Sequence, residues 1–360
     1  MPELVAIAEQ LLAPVPGGTG RYTAELLRAM AATAPDGWEL TGVVSRSGDP
    51  DAARVPGVRG PRVLPLPRRA LVAAWERGIP LWPGGDSVHA MTPLAPPARR
   101  GRGLVVTVHD TVPWTHPGTL TPRGAAWHRR AVRRAARAAD ALVVPTRTVA
   151  EDLRDRIRPA AGVHVVGEGV PPALLAEPDP AVARRLALPR EYVLAIGTVE
   201  PRKGYEHLVR AMAEPVAPDI PLLVVGRPGW GAVRLDHPGA DVRLLGPVDD
   251  AELAVLLRGA TALAAPSLAE GFGLPLVEAM ALGVPVVHSD APALVEVAGG
   301  AGVVVPRADP AALAAALAEV VRNADRRAAL SAAGLRRAAD FTWEEAARAV
   351  WRIHLDIAAG

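Results

Sequence analysis

The chain alternates short apolar runs with helix-patterned stretches, and it does so twice, on either side of a proline-rich interval. Few folds accept that rhythm. Parallel strands need a crossover of about a dozen residues, and an amphipathic helix is the usual crossover. In the first half the pattern predicts strands at residues 4–8, 38–44, 62–66, 87–90, 104–108 and 141–144, with helices over 21–34, 123–139 and 146–156. From 163 to 190 the sequence becomes Pro-rich and loses its period, which reads as a linker. Strands resume at 192–197, 221–226, 242–246, 260–266, 284–288 and 302–306, with helices over 249–258, 274–282 and 310–321 between them. After a helical stretch at 326–338, residues 342–357 have the period of a final amphipathic helix. The expectation is an α/β protein of two parallel-sheet domains, 1–175 and 176–341, followed by a C-terminal helical segment 342–360.

Composition narrows the chemistry by subtraction. The chain has no cysteine, which removes disulfides, thiolate nucleophiles and Cys-ligated zinc or iron–sulfur sites. No apolar stretch approaches the ~18 residues that span a bilayer. Glu3 and Glu9 precede any Lys or Arg, the first being Arg21, so no secretory signal is expected. The location expected is cytoplasmic, with peripheral contact at the inner membrane face as the one addition. Residues 1–180 hold 22 arginines against 17 acids, while 181–360 hold 18 basic residues against 21 acids. The first half is therefore the one suited to an anionic acceptor or a membrane surface. Its stretch 123–137 carries six arginines plus His128, with Trp127 among them. That pattern fits a solvated helix face or a surface for anionic lipid or a phosphorylated acceptor. Lys203 is the only lysine in the chain.

The densest chemical signal is EGFGLPLVE at residues 270–278, directly after an apolar run that ends at Pro266. Pro275 suits a first helical position. Gly271 and Gly273 bare the backbone just before that helix, so N–H groups and the positive dipole end face the loop and can cradle an anion such as a diphosphate. Glu270 falls in the loop and Glu278 in the first helical turn, so two carboxylates can grip hydroxyls on either side of a phosphate pair. Each residue alone also reads as turn or dipole chemistry; the constellation points to binding.

Around these residues the sequence resembles a known family. The run APSLAEGFGLPLVEAMALGVPVV at 265–287 is similar to the E-x7-E signature of family-4 retaining glycosyltransferases of the GT-B fold. The resemblance continues in IGTVEPRKG at 196–204, VVGRPGWG at 224–231, residues 295–300, and Phe341, Thr342 and Trp343. It is looser but ordered in the first half, through Gly17, Gly18, Thr19, Gly20, Arg21 and Tyr22, then Val108, His109 and Asp110, then Pro145, Thr146 and Arg147.

The resemblance implies a GT-B architecture: two Rossmann-like domains with a cleft between them, and the C-terminal helix crossing back to the first. It implies retaining transfer of a hexose from a nucleoside-diphosphate sugar, with no cofactor and no metal. Glu278 then holds the nucleotide ribose. Glu270 lies beside the donor sugar, with Phe272, Gly273 and Leu274 around it, and Arg202 and Lys203 meet the diphosphate. His109 reaches the sugar, and Gly18 and Gly20 approach the phosphates from the first domain. Asp110 and Arg147 lie on the acceptor side. Many relatives carry Arg where this chain has Thr198. The EPRK variant is closest to mannosyltransferases, so GDP-mannose leads as donor. The acceptor is a glycan, a lipid or a small molecule, and nucleic acid is not an expected partner. Two other classes stay open: a non-catalytic nucleotide-sugar-binding subunit, and a glycoside hydrolase using Glu270 and Glu278. An Asp-x-Asp at Asp49 and Asp51 reads as a solvated turn rather than a metal site.

Overall fold

A strand covered on both faces must be apolar along its whole length, not on alternate residues. Leu4, Val5, Ala6 and Ile7 are all 3% exposed or less, and Leu104, Val105 and Val106 are at 1% or below. The computed structural model describes residues 1–15 and 17–360 and divides into two units, Met1–Glu168 with Thr342–Gly360, and Gly169–Phe341.

The first unit is built on a parallel sheet of seven strands among the described residues: β1 (Glu3–Ile7), β2 (Glu39–Arg46), β3 (Arg59–Pro67), β4 (Ser87–Ala90), β5 (Gly103–Thr107), β6 (Ala141–Val144) and β7 (Gly162–Val165). Their order across the sheet is β3-β2-β1-β4-β5-β6-β7. The second unit repeats the plan with β8 (Val193–Ile196), β9 (Leu222–Val225), β10 (Val242–Gly246), β11 (Ala262–Ala265), β12 (Val286–Ser289) and β13 (Val303–Val305), ordered β10-β9-β8-β11-β12-β13. In each sheet the chain winds outward from its first strand, then returns to start again on that strand's other side. The switch points lie between β1 and β4 and between β8 and β11. At a switch point adjacent loops diverge above the carboxyl ends of the strands and leave a crevice there.

Helices cover the sheets with apolar stripes. Leu208, Leu313, Leu317 and Val320 join Leu222 and Val224 in the core of the second unit. Trp75, Leu71 and Leu142 join Val5 and Val88 in that of the first. The helix Asp250–Gly259 opens with a reciprocal cap: Asp249 accepts from the Glu252 N–H at 2.8 Å, and the Glu252 carboxylate accepts from the Asp249 N–H at 3.2 Å. The last helix, Trp343–Ala359, buries Trp343, Ala347, Val350, Trp351 and His354, a period of three and four. It belongs to the first unit, where the Trp351 indole N–H donates to the Met30 carbonyl at 2.9 Å.

Three differences from the sequence pattern have local causes. The glycine segment 17–20 is the first turn of the helix Gly17–Ala32 and not a loop before it. Within the supposed linker lie β7 and two short helices, Pro172–Leu175 and Pro180–Leu186, each opened by a proline. β7 is a half-exposed edge strand, which carries little apolar signal, and the division between the units falls at Glu168 and Gly169. The helices Arg68–Glu76, Tyr205–Met212 and Pro292–Ala298 are too short to show a helical period clearly.

Candidate functional site

Two loops of the second unit leave the strands that flank its switch point. The first follows β8 and closes with a 3-10 turn, Pro201–Lys203. Gly204 ends it at φ 68°, and a Cβ there would sit 2.3 Å from the Pro266 carbonyl oxygen, so only glycine lets the loops approach this closely. The second runs from β11 to the helix Leu274–Ala281. The Leu268 N–H donates to the Arg202 carbonyl at 2.8 Å and ties the loops backbone to backbone.

Side chains complete the tie. Glu270 is the hub. Its Oε1 accepts from Lys203 Nζ at 2.6 Å and from Ser267 Oγ at 2.7 Å, and its Oε2 accepts from Arg202 Nη1 at 2.6 Å. Burial alone would raise the Glu270 carboxyl. The Lys203 and Arg202 charges, with the hydrogen bonds from Lys203 and Ser267, outweigh it and hold the group down at about 2. Ser267 is fixed in turn, its carbonyl accepting from Ser289 Oγ at 2.5 Å.

The two cations are held differently. Arg202 gives Nε and Nη2 to Glu200 Oε1, at 3.0 and 2.7 Å, and Nη1 to both Glu270 and the Ala269 carbonyl, at 2.6 and 3.0 Å. Four of its five N–H groups thus serve the protein. That geometry makes Arg202 a brace for the Glu270 loop. Lys203 gives one of three N–H donors to Glu270, and the others suit a further anion. The cavity between the loops is small, about 20 Å³, lined by Lys203, Tyr205, Ser267, Glu270 and Gly273 among others.

The helix Leu274–Ala281 starts at Gly273, whose φ of 105° and closeness to Leu294 exclude a side chain. Gly273 supplies no side-chain cap, so the helix start keeps its affinity for an anion. Phe272 is 4% exposed and packs edge-on against Phe341, ring centres 5.4 Å apart. Gly271 is buried. Glu278 is expected in the first helical turn; in the helix starting at Leu274 it is the fifth residue, so it falls in the second turn, and it is 2% exposed.

In the first unit the expected residues share the carboxyl edge of the sheet. The glycine turn with Gly18 and Gly20 follows β1, His109 and Asp110 follow β5, and Arg147 opens the helix after β6. His109 Nε2 lies 2.8 Å from the Met91 carbonyl oxygen. A carbonyl only accepts, so that nitrogen carries the proton and Nδ1 carries the lone pair. Burial pushes the His109 imidazole below its usual range, against the Met91 bond and the Asp110 charge, and keeps it neutral. Asp110 Oδ1 accepts from the Val112 N–H at 3.0 Å and shapes the turn beyond the strand. Arg147 is exposed. Among the described residues no three His, Asp or Glu side chains are grouped to hold a metal ion. Asp51 pairs with exposed Arg54 at 2.9 Å.

Sequence reading missed Glu200 and Ser267 as site residues. Glu200 carries a visible signal, an acid two positions before an arginine on a turn-forming proline. Ser267 has none, because its role depends on the fold of its loop.

Comparison with known proteins bears on the family and the fold. A family model described as "Glycosyltransferase Family 4" matches residues 16–174, and one described as "Glycosyl transferases group 1" matches residues 190–323. The chain is a family-4 glycosyltransferase by descent, of the GT-B fold. Over 162 residues this family-4 chain is 37% identical to O-antigen chain mannosyltransferase B of Escherichia coli, 42% of either protein. Over 166 residues it is 39% identical to the phosphatidyl-myo-inositol mannosyltransferase of Mycobacterium leprae (strain TN), 44% of either. The match thus spans under half the length of these two curated relatives. The sucrose-phosphate synthase of Thermosynechococcus elongatus shares the fold across 99% of this chain and 98% of its own, at a TM-score of 0.78 and 23% identity.

Proposed function

We propose that this family-4 chain is a retaining glycosyltransferase that moves a hexose from a nucleoside-diphosphate sugar to an acceptor, with GDP-mannose as first-choice donor. One observation carries the reading: Lys203, braced by Glu270 and Arg202, stands in the same loop pair as the uncapped helix start at Gly273. Charge that develops on a departing diphosphate would meet a fixed cation and a helix dipole. The choice of mannose is supported by the names of the two curated relatives.

In this reading Glu278 holds the ribose, while the backbone of Phe272, Gly273 and Leu274 faces the diphosphate. His109, neutral at Nδ1, accepts a hydrogen bond from a donor-sugar hydroxyl. The leaving diphosphate itself draws the proton from the acceptor hydroxyl, and the new bond forms on the face the nucleotide leaves. The exposed arginines Arg123, Arg130, Arg133 and Arg137 of the helix Pro122–Ala138 suit an anionic acceptor or lipid surface. Among the described residues no helix is long and apolar enough to cross a membrane. The glycoside hydrolase alternative fits less well. Its general acid needs a raised pKa, and with Glu270 held at about 2 that role would fall to Glu278 alone.

Metal dependence tests the reading directly. Lys203 and the helix start supply the counter-charge that a divalent ion gives in metal-dependent transferases. Turnover of GDP-mannose should survive EDTA, and the Asp49→Ala/Asp51→Ala double variant should be nearly silent. Loss of activity in EDTA that manganese restores, together with a dead double variant, would overturn both the site and the mechanism.

Lys203 gives a second test. Its interaction strengthens as the diphosphate leaves, so Lys203→Ala should lower kcat more than it raises the donor KM. Lys203→Arg should stay well below the wild type, because a planar guanidinium does not replace a compact ammonium between Glu270 and a phosphate. Full activity in Lys203→Arg would mean that any cation in the loop suffices.

A further inference from the structure

The first unit buries a line of polar side chains that the proposed function leaves unused. Ser87, His89 and Thr107 lie on β4 and β5, Tyr22 on the glycine-led helix and His354 on the last helix; all are 2% exposed or less. Ser87 Oγ lies 2.7 Å from His354 Nδ1, and His354 Nε2 lies 3.3 Å from His89 Nδ1. His89 Nε2 lies 2.9 Å from Thr107 Oγ1, which in turn lies 3.4 Å from the Tyr22 hydroxyl. Gly103 makes room for the line, since a Cβ there would meet Ser87 Oγ at 2.5 Å and Ile357 Cγ2 at 3.0 Å.

Proton counting makes the line a unit. Each neutral imidazole has one N–H and one lone pair, and one proton sits between the two rings. If it belongs to His354, then Ser87 donates to His354 and His89 donates to Thr107. If it belongs to His89, both outer links reverse. No link can change alone. Buried polar chains of this kind fix one arrangement when every member is satisfied.

The far end of the line is the site. The Tyr22 ring meets the His109 ring edge-on, with centres 4.6 Å apart and planes at 88°, and packs against Trp343 at 5.7 Å. Thr107 ends β5, two residues before His109. The Met91 carbonyl fixes one nitrogen of the His109 ring, and the Tyr22 ring fixes its tilt.

We propose that Tyr22 is a positioning residue for His109, and that the buried hydrogen-bonded line through Thr107, His89 and His354 sets Tyr22 by tying it to the C-terminal helix. The kinetic part rests on the assignment of His109 to the donor sugar. The geometric part does not.

Nitrogen-15 histidine spectra of the full chain separate the two parts. In wild type His109 should show the proton on Nε2. Tyr22→Phe keeps the ring and removes the hydroxyl. It should shift or broaden the His109 signals while leaving those of His207 and His288, in the other unit, unmoved. Turnover of GDP-mannose should fall about tenfold in kcat with donor KM within a factor of two, since small misplacements of a site group act on the chemical step. His89→Gln, whose amide can both donate and accept, should keep the wild-type His109 signals, and His89→Leu should reproduce Tyr22→Phe. Unchanged His109 signals in both Tyr22→Phe and His89→Leu would overturn the proposal. A wild type without turnover, but with the expected spectra, would sink the functional reading and leave the positioning intact.

Discussion

Glu270→Gln should destabilise the protein by about 3 kcal/mol, and a nucleoside diphosphate should return more of that loss than it adds to wild type. The Arg202 and Lys203 side chains are 18% and 14% exposed, and Glu270 is 10% exposed. Removing the carboxylate charge leaves two largely buried cations, of which Arg202 still pairs with Glu200. Breaking a buried pair costs about 3–5 kcal/mol, and an amide that can still hydrogen-bond puts this site at the lower end. A diphosphate would supply the missing charge. Turnover should nonetheless fall about 100-fold, because the cations are no longer held where charge develops. Urea unfolding with and without GDP reads out the effect. Equal stability, or an equal gain from GDP in both proteins, would show that Glu270 does not compensate the cations.

The second large effect is on acid stability. Burial, with the His109 charge beside it, holds His89 down at about 3, and burial with the His89 charge holds His354 well below its ordinary value. In the unfolded chain both titrate near 6.5. Below that pH the unfolded state binds protons that the folded state refuses, so stability falls as pH drops. Two such groups together cost on the order of a few kcal/mol as the pH falls below that value, a sizeable share of an ordinary 5–15 kcal/mol. His109 and His288, also lowered by burial, act in the same direction. Glu270, held at about 2, adds its own loss only nearer its unfolded value, so the window above pH 4.5 reports chiefly on histidine. His354→Gln should flatten the slope by the share of one of these histidines. A stability that does not change from pH 6.5 to 4.5 would contradict the burial of this pair.

The fold was legible where residues are covered on both faces. The strands at 87–90 and 141–144 read with their observed ends, because an apolar run between turn residues has few other uses, and the exposed edge strand 242–246 did so only because Val242, Leu244 and Leu245 keep it apolar. β7 was not legible, since an exposed edge strand needs little apolar surface. Of the site, Glu270 and Glu278 stood out through spacing, Lys203 through the rarity of lysine and Arg202 through the family resemblance. Their relations did not. That Arg202 serves Glu200 and Glu270 rather than standing free, and that Glu278 lies a turn deeper, follow from where Gly204 and Gly273 turn the chain. The line from Ser87 to Tyr22 includes a directly hydrogen-bonded pair 267 positions apart, which no local pattern announces.

The central claim is that the second unit grips a nucleoside diphosphate between Glu278, Lys203 and the helix start at Gly273. Titration calorimetry of wild type and Glu278→Gln with GDP, in EDTA, tests it most directly. A carboxylate accepting from ribose hydroxyls contributes roughly 1.5–3 kcal/mol, so the variant should stay folded and bind about 10- to 150-fold more weakly. An unchanged Kd in a folded Glu278→Gln protein, or a wild type that binds neither GDP nor UDP, would contradict the account.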